Sequence, residues 1–378
     1  MIDYRQLYRI HRGYSASEAL SELVRSDELN RLARREINMA KHYSIALIPG
    51  DGIGRDVIKA AKIVVDAVDE VSDGFTMDFV HLYAGQAAVD ECGEAFPQET
   101  HDGIERSDAV LFGAVGISKV IGELKTGYQL YANVCPFKPL PGTNALHEHA
   151  DLVVIRENTE GLFSRHGWID GDYHVNLRVF TTKGMERILR YAFEYAIREG
   201  RKKVTFTHKA KVLVYTDGAW LGMFKEIAKD YPQIEAEEMT IDTCAMEMVM
   251  RPERLDVVVA ENANGDILSD LGAGIIGGLG YAYRGNIGDS RAIFEPIHGT
   301  APKYADKNIV NPSAAIMAAK FMFDYLAEKD AASQIFQALT EVLTEGKVRT
   351  YHMGGDATTT DFGEAVAARL RQNASLSK

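Results

Sequence analysis

Only three cysteines, Cys92, Cys135 and Cys244, occur in 378 residues. Their odd number and wide spacing exclude a disulfide framework and fit a reducing cytoplasm. No apolar run approaches the roughly 20 residues that span a bilayer, and the longest, Leu271–Ala282, is broken by five glycines. No membrane association is therefore expected. Basic excess is missing too, with 42 Lys and Arg against 54 Asp and Glu and a net charge of −12. Without a basic stripe to neutralise phosphates, a nucleic-acid partner is excluded. The chain also lacks a short internal repeat, a low-complexity tract and a secretory apolar segment at its start. What it has is 46% hydrophobic and 25% charged residues, enough for a sizeable core. These features predict a cytoplasmic, acidic α/β enzyme of two domains or one two-lobed unit.

The first 42 residues form a distinct region, with eight Lys/Arg against six Asp/Glu, so the acid excess belongs to the remainder. Ser15 and Glu18 have capping-box spacing. Behind them Leu20, Leu23, Val24, Leu29, Leu32, Ala33 and Ile37 recur at helical intervals, predicting an amphipathic helix over about 16–37. Such an arm packs on its own core or dimer partner, or docks another protein. From Tyr43 onward strands and helices alternate. Ser44–Ile48, Ala109–Phe112, Val153–Ile155, Val204–Thr207 and Val257–Ala260 are compact runs of buried-strand type. Residues 55–69, 184–199, 217–229 and 313–327 read as helices. The alternation predicts one or two largely parallel sheets, with Pro136–Pro141 as a hinge or domain crossing.

Several segments carry chemistry, each with a plainer alternative. Gly50-Asp51-Gly52-Ile53-Gly54 is G-x-G-x-G, not the dinucleotide fingerprint, and reads as a tight strand–helix turn. The polar loop from Phe294 to Tyr304 carries Glu295, His298, Gly299, Thr300, Ala301 and Lys303, with Asn311 following. It suits either an adenosine with its phosphates or a plain surface loop. Asp266 and Asp270, four apart, share one face of a starting helix. Two such carboxylates suit a divalent cation, or merely complement the helix dipole. Asp242 is a third, weaker candidate. Lys209, in His208-Lys209-Ala210-Lys211, and Arg156 each follow a buried-type strand. Open α/β sheets keep ligands at such carboxyl ends, and an enclosed lysine there serves as acid or base.

In order, Ile48–Gly54, Leu130-Tyr131-Ala132-Asn133-Val134, Arg156–Gly161, His208-Lys209-Ala210, Asn264-Gly265-Asp266-Ile267-Leu268-Ser269-Asp270 and His298-Gly299-Thr300-Ala301-Pro302 match one pattern. Over about 43–370 the chain resembles the isocitrate/isopropylmalate dehydrogenases, metal-dependent β-decarboxylating 2-hydroxyacid dehydrogenases. The resemblance implies a two-domain, non-Rossmann α/β fold preceded here by an extra helical arm, 1–42. A discontinuous large domain, 43–130 and 277–378, would carry the cofactor loops, and a small one, 131–276, would dimerise. The implied homodimer shares its sites: Lys209 and Asp242 come from one subunit, Asp266, Asp270 and Arg156 from the other. Mg²⁺ or Mn²⁺ held by Asp242, Asp266 and Asp270 would acidify the substrate hydroxyl. Lys209, backed by Asp242, would assist proton removal while hydride passes to nicotinamide. Glu295, His298, Gly299, Thr300, Ala301, Lys303, Tyr304 and Asn311 would hold the nucleotide. Lys303-Tyr304 resembles the NADP type, although Thr360–Glu364 lacks the Tyr and Arg of some NADP enzymes. NADP is therefore expected over NAD on charge.

The chain departs from this pattern at the substrate. Phe163 stands where the family's proton-donating tyrosine follows Glu-Asn-Thr-Glu-Gly-Leu. Three family arginines that clamp malate carboxylates map to Lys125, Cys135 and Arg156. Ammonium does not replace a bidentate fork, and Cys135 offers no charge unless ionised. Lys119, Lys125 and Lys211 add charge around the same pocket. Three accounts follow. The first is oxidation of a non-standard anionic 2-hydroxy acid, with or without decarboxylation. The second is an ordinary isocitrate- or isopropylmalate-type enzyme. The third is a catalytically weak regulatory subunit, against which the intact Lys209, Asp242, Asp266 and Asp270 count.

Overall fold

A computed structural model of the chain describes residues 41–376. The helical arm expected over 16–37 lies outside the described residues. Of the described residues, Tyr43–Ser72 and 77–376 belong to one compact unit, while Lys41, His42 and Asp73–Thr76 belong to a second. In that second unit His42 Nδ1 lies 3.0 Å from Thr76 Oγ1.

The described chain begins with β1 (Lys41–Gly50), α1 (Gly54–Val71), β2 (Phe75–His81), α2 (Gln86–Cys92), α3 (Gln98–Arg106), β3 (Ala109–Ala114), α4 (Ser118–Gly127) and β4 (Ala132–Phe137). There follow β5 (Leu152–Glu157), a small hairpin of β6 (Gly167–Asp170) and β7 (Tyr173–Asn176), α5 (Thr182–Arg198), β8 (Lys203–His208) and α6 (Asp217–Ile227). β9 (Glu235–Thr240), α7 (Ile241–Met250), β10 (Val257–Ala260), α8 (Asn262–Ile275), β11 (Tyr283–Ile287) and β12 (Ala292–Pro296) come next. The chain ends with α9 (Ser313–Tyr325), α10 (Lys329–Glu345) and α11 (Thr359–Leu376). None of the described helices is long and apolar enough to cross a membrane.

Ten strands form one sheet in the order β2-β1-β3-β12-β11-β4-β5-β10-β8-β9. Parallel pairing joins β1, β3 and β12 on one side and β5, β10, β8 and β9 on the other. Between them, β12 with β11, β11 with β4 and β4 with β5 are antiparallel. Three successive reversals leave the two parallel halves running in opposite directions. The five apolar runs anticipated as strands are β1, β3, β5, β8 and β10. Parallel strands covered on both faces read as continuous hydrophobic text, and all four residues of β10 are buried. The antiparallel centre differs from the expectation. β11 is Tyr-Arg-Gly-Asn-Ile, with polar side chains on one face, so no apolar run announces it. Pro136, read as a hinge, sits within β4 opposite Val153.

Helices cover the sheet with the faces their periodicity prescribes. α1 buries Val57, Ile58, Ala61, Val64, Val65 and Val68. The helix starts from the turn at 50–54, where Gly52 has φ +57° and a Cβ would lie 2.0 Å from Thr300 O. Ile53 N donates to that same carbonyl at 2.9 Å. The first glycine-rich turn is thus stitched to the loop after β12. Gly52→Ala is expected to destabilise the protein by about 1–3 kcal/mol through backbone strain and the clash, read from urea unfolding. Gly299→Ala, where nothing lies within 4 Å of the added carbon, should be nearly neutral in the same measurement; equal costs would refute the stitching argument.

Candidate active site

Side chains alternate across a strand, so the antiparallel register fixes which groups meet. Asn133 of β4 is opposite Arg156 of β5 and Asn286 of β11, and Arg284 is opposite Glu295 of β12. Asn133 Nδ2 donates to Asn286 Oδ1 at 2.7 Å, and Asn286 Nδ2 donates to Glu295 Oε1 at 2.7 Å. These residues line one face of the sheet's centre. Arg156 is only 1% exposed. Its Nε and Nη2 donate to Asn262 Oδ1 at 2.9 and 2.7 Å, and its Nη1 pairs with Asp266 Oδ1. Helix α8 supplies both partners. It passes this close because residue 265 is glycine, where a Cβ would meet Arg156 Cβ at 2.6 Å.

Asp266 and Asp270 stand one turn apart on the exposed face of α8, the helix start expected from sequence. Glu261 caps that helix, accepting from Asn264 N at 2.8 Å and Ala263 N at 3.0 Å. Phe163, half exposed, places its ring 4.9 Å from the Arg156 guanidinium carbon, a cation–π contact rather than a proton donor. Cys135 is fully buried, and burial pushes its thiol up to about 12. It remains a neutral thiol, donating to Asn133 Oδ1 at 3.1 Å. The charge left open at this position is absent.

Lys125, at the end of α4, joins the same group. Burial, and then Arg156 and Arg284, push its ammonium down to about 7. The unfolded chain keeps that proton well into the ordinary lysine range. Between about pH 7 and that range unfolding therefore takes up a proton, and stability rises with pH. Wild type measured against Lys125→Met should gain about 1.4 kcal/mol per pH unit from pH ~7.5 to ~9. A flat difference between the two proteins would show that the folded lysine stays protonated.

A second group forms at the carboxyl ends of β8 and β9. Lys209 Nζ lies 2.5 Å from Asp242 Oδ1, and Lys209 holds the Asp242 carboxyl below the usual range. The Lys209 amide donates to Asp217 Oδ2 at 2.6 Å, and Arg178 pairs with Asp217 at 2.5 Å and with Glu261 at 2.9 Å. One buried ionic chain thus ties the end of β8 to the cap of α8.

The nucleotide candidates cluster after β12, apart from Glu295, which faces Arg284 and Asn286 within the sheet. His298 Nδ1 lies 3.0 Å from Gly299 O, while its buried Nε2 has no partner among the described residues, and burial lowers its pKa. Thr300 meets the Gly52 turn, and Ala301 adopts φ +37°. Lys303 is exposed beside the Tyr304 ring, 5.3 Å away. Asn311 is buried and accepts from Ser313 N at 2.9 Å. Lys119, 84% exposed, pairs with Glu123 at 3.5 Å, and Lys211 is exposed, so neither joins the buried cluster. A cavity of about 610 Å³ lined by Pro136, Tyr283 and Ile287 contains none of the candidate site residues. Sequence reasoning missed Arg284, Asn286 and Asn262; only the non-local register and the packing of α8 bring them to Arg156.

The isocitrate/isopropylmalate dehydrogenase family matches residues 44–366. The chain belongs to that family. Isocitrate/homoisocitrate dehydrogenase of Thermus thermophilus is 45% identical over 339 residues, covering 87% of this chain and 99% of that protein. The 3-isopropylmalate dehydrogenase of Archaeoglobus fulgidus is 42% identical over 328 residues, covering 86% and 99%. A crystal structure of isocitrate dehydrogenase from Methylococcus capsulatus superposes with TM-score 0.81 at 42% identity, covering 87% of this chain and all of that one. As a member of this family of metal-dependent hydroxyacid dehydrogenases, the chain is an oxidoreductase acting on CH–OH with NAD or NADP.

Proposed function

We propose that the protein oxidises a non-standard, anionic 2-hydroxy acid related to isocitrate and isopropylmalate, using a divalent metal and preferentially NADP. The observation that carries this reading is Arg156, buried and pinned by Asn262 and Asp266 beside the Asp266–Asp270 face of α8. A fixed guanidinium receives a substrate carboxylate in bidentate fashion, and the adjoining aspartates offer the hard oxygens that Mg²⁺ or Mn²⁺ prefers. Among the described residues no cluster of three His, Cys, Asp or Glu side chains is complete in one chain. Asp242 of a second copy would complete the donor set. When bound, the metal supplies Lewis-acid polarisation of the substrate's hydroxyl oxygen.

The chain's own residues do the rest. Lys209, held by Asp242, takes the hydroxyl proton as the unprotonated amine and becomes ammonium, while hydride leaves the carbinol carbon for nicotinamide. His298, whose buried Nε2 has no partner among the described residues, offers an adenine or ribose a hydrogen-bonding nitrogen. The exposed ammonium of Lys303 suits an added phosphate. Strand direction sets the Lys209–Asp242 pair apart from the nucleotide loop of its own copy. The carboxyl ends of β8 and β9 carry Lys209 and Asp242, whereas the loop after β12 leaves a half of the sheet that runs the other way. The reading keeps two lobes, 43–130 with 277–378 and 131–276, in a cytoplasmic homodimer.

The identities above favour a second reading, an ordinary isocitrate-, homoisocitrate- or isopropylmalate-type enzyme. One screen separates the two. Purified protein with Mg²⁺ or Mn²⁺ and either nucleotide is offered isocitrate, homoisocitrate, 3-isopropylmalate, malate, tartrate and a phosphonate analogue of malate. Reduced nucleotide and released CO₂ are followed separately. Preference for malate, tartrate or the phosphonate supports the first reading, and turnover of isocitrate or isopropylmalate at ordinary enzyme rates overturns it.

A further inference from the structure

Arg284 occupies the middle of the antiparallel centre. Gly285 and Asn286 are opposite Val134 and Asn133, so the next rung sets Arg284 level with Cys135. On its other side it faces Glu295, whose Oε1 accepts from Arg284 Nε at 2.8 Å. Arg156 and Arg284 therefore share one sheet face, and each lies within electrostatic range of the other and of Lys125. Three basic groups converge against two carboxylates, Asp266 and Glu295. Among the described residues, neither terminal amino group of Arg284 nor the ammonium of Lys125 has a hydrogen-bond partner. A planar guanidinium with both ends free is preorganised for an oxyanion, and the Arg284 side chain stays 17% accessible to receive one. Cys135 on the adjacent rung is a neutral thiol and supplies no charge.

We propose that Arg284, assisted by Lys125, binds a second anionic group of the substrate beside the one that Arg156 receives. This rests on the hydroxy-acid dehydrogenase reading and narrows it. A 2-hydroxy acid with only one anionic group leaves the Arg284 fork empty and is a poor substrate. A site whose donors are left unpaired discriminates strongly against the analogue that lacks the acceptor.

The test compares wild type, Arg284→Met and Arg284→Lys. Steady-state kinetics use isocitrate, 3-isopropylmalate, malate and the phosphonate analogue of malate, and calorimetry follows the best of these acids with Mg²⁺ and no nucleotide. For the acid that wild type oxidises best, Arg284→Met should raise KM about 100-fold or more. The same loss should appear in calorimetry, with kcat changed by less than about tenfold. Arg284→Lys should recover part of the loss, because it keeps the charge opposite Glu295 but not the fork. The better of the malate and phosphonate arms identifies the oxyanion. Unchanged KM and affinity in either variant overturn the assignment of Arg284 while leaving the dehydrogenase intact. Absence of turnover of every acid by wild type removes the hydroxy-acid reading itself. If Arg284→Met does not fold, Arg284→Lys decides alone, with a KM rise of at least about fivefold expected.

Discussion

Lys209→Met should lower kcat by roughly two to four orders of magnitude, the usual worth of a positioned acid–base group. Nucleotide affinity should change little. Methionine has similar length and keeps the neighbouring packing but can neither hold Asp242 nor carry a proton. The structure makes the lysine a positioned group, with its Nζ 2.5 Å from Asp242 and its amide fixed on Asp217 at 2.6 Å. Lys209→Arg separates charge from proton transfer. Arginine preserves an ion pair with Asp242 but does not surrender its proton in a protein. If proton removal is the role, the Lys209→Arg protein stays as slow as the methionine variant, and the acidic limb of the pH–rate profile disappears in both. Activity of Lys209→Arg within tenfold of wild type would show that the residue acts by charge alone and that the proton leaves elsewhere.

Legibility in the sequence followed burial and locality. β1, β3, β5, β8 and β10 could be read because both of their faces are covered, leaving apolar text with no alternative use. β9, Glu-Ala-Glu-Glu-Met-Thr at the sheet's edge, has no such signature, and β11 has polar side chains on an inner face. The resemblance, carried by short runs at strand ends and helix starts, implied Lys209 with Asp242 and placed Arg156, Asp266 and Asp270 in one subunit. Arg284 was not among them. Nothing within several residues of it marks a ligand site, and its meaning comes from β4, β5 and β12, which lie far away along the chain. Charge counting grouped Lys119 and Lys211 with Lys125, whereas both extend into solvent in this chain, and it left open the charge of Cys135, which burial keeps a neutral thiol. A basic residue's worth at a buried site depends on what faces it, which only the register determines.

Asp266→Asn should abolish metal-dependent turnover and weaken Mn²⁺ binding by more than the roughly 10–100-fold that supporting residues cost. Asparagine keeps the shape and one oxygen but removes the charge. Two consequences need separating, because Asp266 both belongs to the proposed metal site and accepts from Arg156 Nη1. Asp270→Asn provides the separation, since Asp270 has no such contact with Arg156 and stands one helical turn away on the same face of α8. If the two aspartates act as ligands, both variants lose Mn²⁺ affinity in calorimetry. Only Asp266→Asn should also raise the substrate KM, since it leaves three basic groups facing Glu295 alone. Arg156 should remain in place in both variants because Asn262 Oδ1 still accepts from its Nε and Nη2, so the folded protein persists and the losses are read on an intact site. Retained Mn²⁺ affinity in Asp270→Asn would confine that residue to the helix surface and leave Asp266 to serve the arginine; equal losses in both variants would make the exposed face of α8 the metal's seat.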